Sequence, residues 1–339
     1  MPKKSAPKKS VAKKPANKKT TKGQKPVTVE SMMEQLAPLL EGERAVTEND
    51  LRALMASLNG PSVADKMSDE DVDARYAAQE LALDAMDART EAEARKLAKR
   101  ALRLDPDCVD ALLVMTDLDA RNPRQILDGL RKAVAAGERS LGKSFIEENT
   151  GHFWMLLDTR PYMRALQVLG DALRNEGICL DAIQVYEKML ELNPNDNQGV
   201  RDPLLGLYLQ TGDLKGAGRL LKKYKDDASA NFAWGYVLER FLAGDEKSAI
   251  AALKTARKAN PHMELYLTAR KELPEYLPEM YSPGSEEEAV LCLSFVGAAW
   301  VTHEEACAWF FDQMTAEARR EGVSKEALLR APVPGKKVQ

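Results

Sequence analysis

Histidine is nearly missing from this chain: His152, His262 and His303 are the only three, and none sits at ligand spacing from another. A zinc centre is therefore not expected. The four cysteines, Cys108, Cys179, Cys292 and Cys307, show no CxxC spacing, and each falls in an apolar helical context. They read as small buried hydrophobes in a reducing compartment. Aromatic residues are scarce, and no run alternates β-branched residues, so strands are not expected. The longest apolar stretch, 289–301, falls short of the roughly 20 residues a spanning helix needs, and no apolar run follows the basic start as in a secretory signal. The expectation is a soluble, cytoplasmic protein with no cofactor, no metal and no membrane contact.

What remains is rich in Ala and Leu, a composition that favours an all-α protein, and 339 residues suffice for a sizeable core. The net charge of −3 conceals an asymmetry. Residues 1–26 hold ten Lys and no acid, leaving 39 basic against 52 acidic residues in the rest, near −13. The Lys pairs recur every five residues: Lys3 and Lys4, Lys8 and Lys9, Lys13 and Lys14, Lys18 and Lys19. A segment of Lys, Pro, Ala, Ser and Thr has little to bury and repels itself, so residues 1–27 are expected to be disordered.

Three stretches repeat one pattern that closes on proline: residues 91–106, 180–194 and 246–261. Ala94, Ala98 and Ala101 precede Pro106; Ala182, Tyr186 and Met189 precede Pro194; Ala249, Leu253 and Ala256 precede Pro261. Small residues let antiparallel helices approach, and the proline ends the second helix of each pair. The spacing from Ala94 to Ile126, and again from Ala217 to Ala249, is 32 residues. Repetition at this period predicts an α-solenoid of about five helical hairpins. Its expected divisions are a helical segment over 28–67, the repeats over 68–261 with a non-repeat insertion at 138–162, a helical cap over 262–331 and a flexible tail over 332–339. In the cap, Ser285-x-x-Glu288 and Thr302-x-x-Glu305 are predicted to open two helices that cover the end of the stack.

The small-residue and proline positions resemble tetratricopeptide repeats, although the usual Trp of the first helix is missing from the first three units. A narrower resemblance runs over about 90–300. LAKRALRLDPDCVDALLV, GHFWMLLDTRPYMRAL, LELNPNDNQGVRDPLL and YSPGSEEEAVLCLSFVGAAW together resemble bacterial relatives of the suppression-of-tumorigenicity-seven protein family. The resemblance implies a helical-repeat protein with no catalytic activity and says little about partners.

In repeats of this kind the first helix of each hairpin lines a concave groove. Arg164, Gln167, Asp171, Arg174 and Asn175 are predicted to face it, with Asn197 and Arg201 from the turn region, and Asn231 and Trp234 further on. Arginines and a Trp suit an extended acidic peptide through charge-assisted bonds and stacking. The expected function is a non-catalytic scaffold that binds a protein or peptide partner there, with no small-molecule substrate. His152 beside Trp154, Asp158 and Arg160 invites a catalytic reading, but no Ser or Cys nucleophile shares its local sequence. The alternative is a nucleoid protein acting through the tail. Its lysines resemble those of linker-histone-like bacterial proteins and would hold phosphate backbones without reading sequence.

Overall fold

The structure, a computed structural model, describes residues 68–320. The chain divides into two units, Met1–Ser68 and Asp69–Gln339, and the fold described is that of the second. The basic tail, the 28–67 segment and the 332–339 tail expected from the sequence lie outside the described residues.

The described residues are all-helical, with no strand among them. The helices are α1 (Asp69–Met86), α2 (Glu91–Leu104), α3 (Val109–Asp119), α4 (Pro123–Leu141), α5 (Lys143–Asn149), α6 (Arg160–Asn175), α7 (Cys179–Leu192), α8 (Arg201–Thr211), α9 (Leu214–Lys223), α10 (Ala230–Leu242), α11 (Glu246–Ala259), α12 (Met263–Leu267), α13 (Glu286–Thr302) and α14 (Glu304–Arg320). Two 3-10 turns, Phe153–Met155 and Leu157–Thr159, lead into α6.

Local chemistry sets these ends. Thr90, Asn122, Asp213, Ser229, Asp245 and Ser285 each accept a backbone N–H from the first turn of the helix they precede, as short oxygen-bearing side chains do at N-caps. Pro123 and Pro161 stand in first turns, where a missing N–H does no harm. Before each closing proline stands Asp105, Asn193 or Asn260, whose own N–H still reaches back to the carbonyl of Ala101, Met189 or Ala256. The Asp105 and Asn260 side chains then accept the N–H two residues on, which turns the chain toward its next helix. Thr302 differs from expectation. It ends α13 and donates to the Ala298 carbonyl, and His303 occupies the position before α14. α4 likewise runs on to Leu141, into the stretch expected to be insertion.

Neighbouring helices pack together as α1 with α2, α3 with α4, α6 with α7, α8 with α9, and α10 with α11. Each pair meets the next through α2 on α3, α4 on α6, α7 on α8 and α9 on α10. The repeated small residues form the seams. Ala98, Ala101, Ala182, Tyr186, Ala249 and Ala256 are wholly buried. At Gly170 a Cβ would sit 2.6 Å from the Tyr186 ring, so the absent side chain is what lets α6 and α7 close over that tyrosine.

The two C-terminal helices pack in different places. α14 lies at α10 and α11, with Trp309 donating to Glu246 and its ring 4.9 Å from Phe241. α13 instead packs along α8 and α10 and meets α6 through Arg174, which donates to the Ser294 carbonyl. α13 is apolar almost all round, as a helix covered on several sides must be.

Candidate functional site

The first helices of the pairs, α1, α3, α6, α8 and α10, carry most of the residues predicted to bind a partner, and α13 covers the last two. Trp234 of α10 is not at a surface. It is fully buried, with its ring centroid 6.5 Å from Trp300 of α13 and 5.7 Å from Phe310 of α14. Arg174 lies under α13, its guanidinium 5.7 Å from the Phe295 ring.

Arg164 is an internal tie. Its Nε donates to Asp110 Oδ1 at 3.0 Å and its Nη2 pairs with Oδ2, while Gln79 of α1 donates to the same carboxylate at 2.7 Å. Asp110 is completely buried in α3, so three first helices meet on one carboxylate. Desolvating a charge is costly unless it is paired and hydrogen-bonded, and both conditions hold here.

Gln167 accepts from Gln198, and Asp171 accepts from the Tyr186 hydroxyl at 2.6 Å. Arg201 pairs with Asp196 and Asp227, and its guanidinium lies 5.3 Å from the Tyr224 ring. Buried Asn231 donates to the Asp202 side chain at 3.0 Å. Asn175 and Asn197 are exposed. The candidate lysines of the tail, Lys3 to Lys19, lie outside the described residues. Most of the predicted contact residues thus hold the fold together, and the structure does not gather them into one open surface.

The open part of this face lies toward the N-terminus. A cleft of about 320 Å³ is lined by α1, the α2–α3 turn, the end of α4 and the start of α6. Tyr76, Leu83 and Leu157 line it, 52%, 46% and 58% exposed, above buried Tyr162 and Leu141. Arg160 stands at its edge with its guanidinium 4.1 Å over the Trp154 ring and its Nε on the Trp154 carbonyl. Burial first, and then neighbouring Arg164, hold its pKa below the usual arginine value. Among the described residues no carboxylate pairs with it. An arginine stacked on an indole and partly desolvated is ready for a carboxylate from outside.

His152 is exposed and does not line the cleft. Cys108 does, but burial pushes its thiol up to about 11, so it stays protonated near neutrality. All four cysteines are free. Among the described residues no group of three His, Cys, Asp or Glu could hold a metal ion, and no helix is long and apolar enough to cross a membrane. Sequence reasoning passed over the Arg160–Trp154 stack. Its signal was the Trp six residues before an Arg at a helix start, read there as a setting for His152. No protein-family model and no curated protein matches the chain.

Proposed function

We propose that the chain is a cytoplasmic, non-catalytic scaffold of tetratricopeptide-like hairpins that binds a protein or peptide partner on the inner face of its first helices. The resemblance to bacterial relatives of the suppression-of-tumorigenicity-seven protein family belongs to the same reading. The observation that carries it is α13: the chain lays one of its own helices along α8 and α10, so this face accepts a helix with apolar and small-residue contacts. The cleft at α1, α4 and α6 continues the face, offering apolar Tyr76, Leu83 and Leu157 and the stacked cation of Arg160. The partner is a segment with apolar side chains and at least one carboxylate.

Photo-crosslinking residues placed at Tyr76 and at Leu157, with Lys254 of α11 as an outer control, test this in the full chain. One discrete partner trapped from 76 and 157, absent from 254 and lost with Arg160→Ala, supports the cleft. Equal trapping from all three positions would refute it.

The ten Lys of residues 1–26 favour a second reading, polyanion association through counterion release. Deleting residues 1–26 should then abolish retention on nucleic acid at low salt. Retention that persists would reject it.

A further inference from the structure

The segment between α12 and α13 concentrates exposed apolar side chains. Leu273, Tyr276, Leu277, Met280 and Tyr281 are between 50% and 84% exposed, and Glu272, Glu275 and Glu279 are interspersed among them. Pro274, Pro278 and Pro283 keep the run from coiling into a helix that would turn one face inward. Both ends are fixed. Lys271 pairs with Glu286 across the base, and the Gly284 N–H donates to Glu288 Oε2 at 2.6 Å. An acidic, apolar loop is therefore held out in solvent, where such a patch marks an interaction site.

A cleft of about 780 Å³ opens between α9 and the α10–α11 pair. Leu221, Phe232 and Tyr236 form its apolar wall, and exposed Lys222, Lys225 and Lys258 form its rim. Among the described residues no carboxylate pairs with these three lysines. Its two acids are already held, buried Glu239 by both prongs of the Arg240 fork and Asp227 by Arg201. Gly218 borders open space in the cleft: a Cβ there would have only Glu239 Oε1 within reach, at 3.7 Å. The loop and the cleft border one another: Ala259 lines the cleft, and its carbonyl is 3.4 Å from where a Gly284 Cβ would stand.

We propose that residues 272–281 dock into this cleft of a second copy of the chain, reciprocally about a two-fold axis. Three glutamates meet three lysines, and the apolar side chains meet an apolar wall. Because loop and cleft are neighbours on one chain, a single two-fold rotation seats both loops at once, which is the self-complementary arrangement of a closed dimer. The ten large apolar side chains of two loops then leave water together.

Analytical ultracentrifugation of the full chain at tens of micromolar tests this. The wild type should sediment as two chains. Tyr276→Ser with Met280→Ser, and separately Lys222→Glu with Lys258→Glu, should each weaken self-association at least about tenfold. Helical content should not change, because all four sites are exposed. Adding Glu275→Lys and Glu279→Lys to the lysine variant should restore the dimer. A single-chain particle, a dimer unaffected by either pair of substitutions, or a charge swap without recovery would each overturn the proposal.

Discussion

Gly206 of α8 lies directly beneath the carbonyl of Phe295 in α13: a Cβ at position 206 would overlap that oxygen, with no flexible side chain to give way. Two helices remote in sequence thus touch backbone to backbone at one glycine.

Gly206→Ala should therefore destabilise the protein, by about 1–3 kcal/mol, despite the helix-propensity gain of about 1 kcal/mol that a Gly-to-Ala change brings in open helix. Gly218→Ala is the control. It is also helical, but a Cβ there meets only Glu239 Oε1 at 3.7 Å. Urea unfolding should show the first variant weakened and the second unchanged or slightly strengthened.

Arg164→Ala should behave as a stability variant, because it strands the buried Asp110 carboxylate without its cation. A loss of about 1–3 kcal/mol is expected, the range for a buried acceptor left short of a donor, since Arg164 is partly exposed and Gln79 still reaches Asp110. Arg160→Ala should leave the melting temperature within a few degrees, since it removes a stack at the cleft edge. Thermal unfolding followed by circular dichroism separates the two.

Glu288 joins three parts of the chain: it accepts from the Ala230 N–H, the Asn260 side chain and the Gly284 N–H. Glu288→Gln turns one accepting oxygen into a donor that faces donors. A loss of about 2–3 kcal/mol is expected, the range for bonds to charged groups left unmet. Loosening should be visible as faster hydrogen exchange at the start of α10 and of α13.

Asp202 gives the fold a pH dependence. Burial raises its carboxyl to about 6, with Asp227 and Asp196 adding to the effect and Arg201 and Asn231 opposing it. Folded Asp202 thus holds its proton more tightly than an unfolded one, whose pKa is about 3.9. Its contribution favours folding at low pH and is lost as pH rises through about 6. Asp202→Asn, which mimics the protonated side chain, should raise stability relative to wild type near neutral pH and change little near pH 4. An equal effect at both pH values would contradict the assignment.

The all-helical class and the buried small residues were legible because their signal is local. Ala98, Ala182 and Ala249 recur before prolines at a fixed offset, and burial at those positions follows from helix geometry alone. The fate of the predicted contact residues was not legible. Arg164 meets Asp110 from 54 positions away, and Trp234 meets Trp300 and Phe310 across the C-terminal region. Polar residues on a first helix look alike in sequence whether they face solvent or a neighbouring helix. The seat of α13 had left a trace: residues 289–301 are apolar but for Ser294, as in a helix packed on several sides.

Hydrogen exchange of the full chain tests most directly whether α8 and α10 hold α13 between them and solvent. The central amides of α13, from Leu291 to Ala299, should exchange as slowly as those of α8 and α10, and Gly206→Ala should speed α13 ahead of α1 and α3. Exchange of α13 as fast as the 272–281 loop in the wild type would contradict it.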